Sequence, residues 1–229
     1  MRLFLFDIDG TLISGHGVGR RALTQAMQEV YGTPGAYEGY DFRGMTDPRI
    51  VCDLMRGAGI PEDVFRQRLP ACFDRYVDYL EALIKDGHRV DVMPGIADLV
   101  RTLASHRSAL VGLLTGNIER GARAKLAPTG LLPFFQIGAY GSDDADRRRL
   151  PAVARERAEA LTGQSFPFER VTIIGDTPLD VDCARSCGAV AVVVATGQHA
   201  ADELAACAPD LLFPNFSDVA AAVRALIQV

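Results

Sequence analysis

Four short stretches of apolar residues constrain this chain more than any other feature: Leu3 to Phe6, Ala109 to Leu114, Val171 to Ile174 and Val190 to Val194. Runs of this length are too short for helices and lack polar alternation, which is the pattern of parallel strands covered on both faces. Between them lie segments with helical spacing at 95–106, 119–127, 149–162 and 179–187. Another helix is expected at 216–227, after a weaker strand at Leu211 to Phe213. Strand and helix alternate, so the chain is expected to form a doubly wound α/β fold on a parallel sheet, with ligands gathered beyond the carboxyl ends of the strands.

Residues 15–88 break that rhythm. They offer helices at 18–31, 47–58 and 62–86 with no convincing strand between them, and so read as an inserted helical domain. The expected division is an α/β core of residues 1–14 and 89–229 and a helical insertion of residues 15–88. The crossings, Ser14-Gly15-His16-Gly17 on entry and Asp86-Gly87 on exit, are glycine-bearing and suit a hinge. Gly15, Gly17 and Gly19 do not form a dinucleotide fingerprint, because the spacing is wrong and no strand directly precedes them. His16 reads as a surface loop residue.

Charge and cysteine content narrow the partners. With 24 Lys and Arg against 29 Asp and Glu, the net charge of −5 lacks the basic footprint that a nucleic-acid backbone requires. Five cysteines, an odd number in a chain long enough to bury a core, fit free thiols in a reducing compartment. Only four consecutive apolar residues precede Asp7, too few for a secretion signal or a membrane span. The expectation is a cytoplasmic protein with neither a nucleic-acid nor a membrane partner.

The residues that end the strands carry the chemistry. Asp7 and Asp9 follow the first strand at i and i+2, which puts both carboxylates on one side of an extended chain, and Gly10 then permits a sharp turn. Like charges about 4 Å apart repel by about 4 kcal/mol at an effective dielectric near 20, so a cation is needed to keep both ionised. Oxygen-only ligands with a phosphate partner point to Mg²⁺. A third acid, Asp176, arrives at the end of another strand in Gly175-Asp176-Thr177-Pro178-Leu179-Asp180, with Asp180 one turn later as support for the metal site. Thr115, Gly116 and Asn117 follow a further strand and open a helix, offering a hydroxyl, an amide and free N–H groups to an anion; Asn117 could equally be a plain N-cap. A fixed positive charge is also required. The two lysines, Lys85 and Lys125, sit away from strand edges, which leaves the run Arg147-Arg148-Arg149, although Asp143, Asp144 and Asp146 could neutralise it as a solvated face.

Taken together, Phe6-Asp7-Ile8-Asp9-Gly10-Thr11-Leu12, Leu113-Leu114-Thr115-Gly116-Asn117, the basic segment 147–149 and Ile173-Ile174-Gly175-Asp176-Thr177-Pro178-Leu179-Asp180 resemble the haloacid dehalogenase superfamily in order and spacing. The insertion resembles the helical cap of its phosphoglycolate-phosphatase-like branch. The resemblance implies that Asp7 is the nucleophile and Asp9 the general acid and base, whose main-chain carbonyl also binds Mg²⁺. Asp176 would complete the metal site with Asp180 behind it, and Thr115, Gly116 and Asn117 would bind phosphate. The family commonly has lysine where this chain offers arginine; the segment from Asp146 to Leu150 resembles a branch with arginine first, which assigns phosphate binding to Arg147. Phe42 to Asp47 resembles a cap segment that faces substrate, making Arg43 and Thr46 candidates for specificity, although Thr46 before Asp47-Pro48 is also an ordinary helix start.

The function expected is Mg²⁺-dependent hydrolysis of a small phosphorylated metabolite through an aspartyl-phosphate. A phosphomutase is the nearest alternative, but no residue demands return of the phosphoryl group to a second hydroxyl. A dehalogenase has no use for Asp9. An aspartate-phosphorylated signalling receiver would combine similar groups, but a switch gains nothing from Asp9 and a covering insertion.

Overall fold

The structure, a computed structural model, describes residues 1–229. Six parallel strands form the central sheet: β1 (Arg2–Phe6), β4 (Ala109–Thr115), β5 (Ile137–Tyr140), β6 (Val171–Gly175), β7 (Val190–Val194) and β8 (Leu211–Phe213). Their order is β5-β4-β1-β6-β7-β8. The chain builds outward from β1 to one edge and then returns to build the other, so the order reverses at β1, flanked by β4 and β6. That is where open α/β sheets place their ligand crevice.

Side-chain alternation along β1 shows why the sheet needs cover on both sides. Phe4 and Phe6 enter one apolar cluster with Leu99, Val111 and Leu226, while Leu3 and Leu5 enter another with Leu150, Ala154, Val171 and Val181. The first cluster is closed by α4 (Ile96–Ala104) and α9 (Val219–Gln228), and the second by α6 (Leu150–Thr162) and α7 (Pro178–Cys187). The remaining core helices are α5 (Glu119–Leu126) and the short α8 (Ala201–Ala206).

Besides the two short paired segments that join the insertion, two elements lie outside the sequence expectation. β5 is only four residues long, contains Gly138 and sits at the sheet edge, so it lacks the long apolar run of a covered strand. Helix α8 spans six residues, fewer than two turns, which leaves no periodicity to detect.

The chain leaves the sheet layer through β2 (Ile13–Ser14) and returns through β3 (Asp91–Val92), and these two segments pair antiparallel. Between them lie α1 (Val18–Tyr31), α2 (Asp47–Gly57) and α3 (Glu62–Lys85). These helices bury their own cluster, including Ala22, Met27, Val51, Leu54, Phe65 and Leu80, to which the sheet layer contributes Ile118. The insertion thus has a separate apolar interior and meets the sheet layer at the strand tips. No helix is long and apolar enough to cross a membrane. All five cysteines are unpaired.

Candidate active site

The tips of β1, β4 and β6 are adjacent, and each delivers a chemical group into one cavity of about 830 Å³ between the sheet and the insertion. Asp7 leaves β1 with its N–H still bonded to the Ile174 carbonyl, 2.9 Å away, so its position is set by the sheet. Asp176 leaves β6 and accepts the Thr11 hydroxyl at 3.1 Å. The turn glycines close tightly around it: a Cβ on Gly10, whose φ is +87°, would lie 2.2 Å from Asp176 Oδ2, and one on Gly197 would lie 1.7 Å away. Only glycine fits at either position.

Asp180 folds back over the end of β6, where a Cβ on Gly175 would collide with its carboxyl group. Its Oδ2 accepts from the Thr177 N–H at 3.0 Å and from the Thr177 hydroxyl at 2.8 Å, a capping box that fixes both the start of α7 and the carboxylate. Oxygen atoms from Asp7, Asp176 and Asp180 lie within 4.8 Å of one another, and all three residues are buried. Burial pushes the Asp7 carboxyl up to about 6 despite the Arg147 guanidinium, with Asp180 and Asp9 adding to the rise. Asp176 is raised well above the usual range by burial and by the charges of Asp180 and Asp7. Arg147 Nη2 stands 3.2 Å from Asp7 Oδ1 but off the hydrogen-bond axis, leaving that buried oxygen without a donor. A hard divalent cation fits this site: the donors are all oxygens, one is orphaned, and a single guanidinium offsets only part of the repulsion among three carboxylates.

The carboxylate of Asp9 does not join that trio. Its Oδ2 accepts from Lys125 Nζ at 2.7 Å and from Asn117 Nδ2 at 2.8 Å, which ties the carboxylate to those two side chains rather than to the acidic cluster. Partial desolvation inside the cavity pushes the Asp9 carboxyl up, although its side chain is half-exposed, but the Lys125 ammonium and the Asn117 amide outweigh it and leave it below the usual carboxylate range. Lys125 therefore corrects the sequence reading, which set it aside as away from the strand edges. It is buried on α5 on the same face as Ile118 and Ala122, bonds Asn117 Oδ1 at 2.6 Å, and passes the point where a Cβ on Gly19 would stand 2.8 Å from its Nζ. A lysine at i+7 and i+3 from those buried apolar residues, in a chain with only two lysines, is the signal that could have found it.

Thr115 is fully buried at the end of β4, and its Oγ1 accepts from Asn117 Nδ2 at 2.8 Å. Asn117 is not the N-cap of α5; Ile118 holds that position, and the amide serves Thr115 and Asp9 instead. A Cβ on Gly116 would lie 2.1 Å from the Met45 carbonyl, so the insertion rests directly on this loop.

In the arginine run only Arg147 is buried. Its Nη2 donates to Asp180, and its Nη1 donates to the Gly44 carbonyl at 3.0 Å. Arg148 pairs with Asp146 and Arg149 with Asp144 in solvent, so the neutralised-face reading describes those two. Of the two specificity candidates, Arg43 lines the cavity, with Nε and Nη2 each 2.8 Å from Asp41. Thr46 does not line it. Its hydroxyl donates to the Ala145 carbonyl at 2.7 Å and accepts from Arg49 N–H at 3.3 Å, which makes it the cap of α2 and a strut to the sheet layer. Asp47, beside it, was not foreseen: its Oδ2 accepts from Ile118 N–H at 2.8 Å, and burial raises its carboxyl to about 6. His16 is exposed at the cavity mouth and bonds Asp91 at 2.8 Å.

An acid cluster at two neighbouring strand tips, faced by one buried arginine and covered by a helical insertion, accords with the family to which the chain belongs, the haloacid dehalogenase-like hydrolases, whose family model matches residues 1–188. A curated relative narrows the kind of enzyme: the chain is 28% identical to a phosphoglycolate phosphatase of Synechococcus elongatus over 100% of both chains. The fold is shared with a hydrolase from Pseudomonas syringae (TM-score 0.73, 21% identity, 98% of each chain) and with CbbY from Rhodobacter sphaeroides solved in complex with phosphate (TM-score 0.65, 18% identity, 96% of each chain). The chain is an enzyme of the phosphatase class within this family.

Proposed function

We propose that this enzyme hydrolyses a small phosphomonoester, in the manner of a phosphoglycolate phosphatase, through an aspartyl-phosphate on Asp7 and with Mg²⁺. The observation that carries the reading is the buried meeting of Asp7, Asp176 and Asp180 within 4.8 Å beside Arg147. Asp7 and Asp176, with the main-chain carbonyl of Asp9, would hold the ion, and Asp180 would support it while tied to Thr177 and Arg147. When bound, the ion supplies charge neutralisation for the acids and for the phosphoryl oxygens.

An Asp7 carboxylate oxygen attacks phosphorus and the bond to the ester oxygen breaks, while Asp9, protonated, donates to the departing alkoxide. The products of this half are the alcohol and the aspartyl-phosphate. Asp9, now a carboxylate, takes a proton from water as that water attacks the same phosphorus, regenerating Asp7 and releasing phosphate. Lys125 and Asn117 hold Asp9 in the ionised form that the second half needs. A bound phosphoryl group adds negative charge beside Asp9 and so favours the protonated form that the first half needs. Arg147 and the Thr115 hydroxyl balance charge on the transferred group. The insertion, residues 15–88, acts as a cap that keeps bulk water out and meets the leaving group. Five unpaired cysteines suit a reducing compartment, and we place the enzyme in the cytoplasm.

The test is turnover of p-nitrophenyl phosphate with Mg²⁺, together with acid trapping of labelled protein. Repeated turnover with a phosphoenzyme that is lost in Asp7→Asn supports the reading. Stoichiometric labelling without release rejects it in favour of a signalling receiver.

A further inference from the structure

Five side chains able to carry positive charge line the cavity: His16, Arg20, Arg43, Lys125 and Arg147. Four already have partners. His16 bonds Asp91, Arg43 is forked onto Asp41, Lys125 holds Asp9 and Asn117, and Arg147 is shared by Asp7, Asp180 and the Gly44 carbonyl. The Arg20 side chain has neither an ion pair nor a hydrogen bond. Its guanidinium carbon instead lies 5.0 Å from the centre of the Phe42 ring and 5.5 Å from that of Tyr37.

Stacking holds a guanidinium by its face and leaves its in-plane N–H donors free, the arrangement suited to gripping an oxyanion with two parallel hydrogen bonds. Helix stability does not account for a cation at this place. The first turn of α1 contains Arg20 and Arg21 and no acid, and positive charge there opposes the helix dipole. Both rings that hold Arg20 come from the insertion, in the loop between α1 and α2, so the free donor belongs to the part of the molecule that faces the leaving group in the mechanism above.

Resting on that phosphatase reading, we propose that Arg20 is a specificity-determining residue that binds a second oxyanion, a carboxylate or another phosphate, on the leaving-group side of the substrate. The preferred substrates are then small phosphomonoesters carrying a further negative charge. Arg43 has this role only if it releases Asp41, whereas Arg20 has nothing to release.

Three probes separate the possibilities: 2-phosphoglycolate carries a carboxylate close to the ester, fructose 1,6-bisphosphate carries a second phosphate further away, and ethyl phosphate carries neither. In the wild type, kcat/KM for one of the two charged probes exceeds that for ethyl phosphate. Arg20→Ala lowers that ratio roughly 10- to 100-fold, chiefly through KM, as expected for loss of charge-assisted hydrogen bonds. Arg20→Lys recovers part of it, since the charge returns without the fork. The probe that responds identifies the oxyanion as carboxylate or phosphate. A ratio within twofold of wild type in Arg20→Ala, or no preference for either charged probe, overturns the proposal. If no ester is turned over and no phosphoenzyme forms, the phosphatase reading fails instead, and calorimetric binding of 2-phosphoglycolate and fructose 1,6-bisphosphate to wild type and Arg20→Ala still decides the role of Arg20. Weaker binding of either probe to the variant supports it, and equal Kd values for both refute it.

Discussion

Replacing Asp47 by Asn tests how the insertion is fastened to the sheet layer. The Asp47 carboxylate is only 7% exposed and accepts one N–H, that of Ile118, so burial dominates and its carboxyl rises from 3.8 to about 6. A carboxyl raised on folding favours the protonated native state. Its contribution to stability is full below the unfolded value near 4 and is lost as pH rises through about 6. A shift of about two units corresponds to ~3 kcal/mol of pH-dependent stability. An asparagine keeps an oxygen to accept from Ile118 and removes the titration. Urea unfolding of both proteins without added metal, from pH 4.5 to 7.5, should show Asp47→Asn gaining on wild type by about 2 kcal/mol across that interval, the remainder of the change lying below pH 4.5. Asp7 and Asp176 titrate in both proteins and cancel in the difference. A difference that stays constant with pH would refute the burial argument, and a loss that grows toward pH 7.5 would show that the ionised carboxylate is stabilising.

The arginine run should divide sharply. Arg147→Ala leaves Asp7 and Asp180 without their shared cation and should lower kcat by roughly 100-fold or more, whereas Arg148→Ala and Arg149→Ala remove exposed pairs and should change it less than about twofold; equal effects at all three positions would contradict the assignment. Lys125→Met removes the charge that holds the Asp9 carboxyl low, so Asp9 stays protonated to higher pH and the basic limb of the kcat/KM profile, set by the general acid of the first half, should move to higher pH; an unmoved limb would disconnect Lys125 from Asp9. Chelation with EDTA should abolish turnover and added Mg²⁺ should restore it, and full activity in the chelated protein would remove the metal from the reaction.

The sheet was legible because its central strands are buried on both faces and must therefore be apolar throughout, as Leu3 to Phe6 and Val190 to Val194 are. The acids at the tips were legible for the complementary reason: an aspartate directly after such a run has no structural use there. Lys125 escaped notice because its role depends on length and direction. Its stem crosses a space that exists only because Gly19, over a hundred residues earlier, has no side chain. Asp47 escaped because Asp-Pro after threonine is already explained as a helix start, and nothing in the local pattern says that the carboxylate turns toward α5. Thr46 was legible in its simpler reading: as the helix start offered, its hydroxyl caps α2, and it also donates to the Ala145 carbonyl, a contact between segments far apart in sequence that no local pattern announces.

The helical insertion is joined to the sheet layer at both ends by one element, the short antiparallel ribbon of Ile13–Ser14 with Asp91–Val92. Two independent tethers would let the attached body wander in several directions, but a paired ribbon bends easily across its face and resists shear along its length. Swinging is therefore the natural motion of the upper body. A swing of this kind would return Gly44 and Met45 to the same places at each closure, opening the entrance for exchange without blurring the alignment of the groups that must meet.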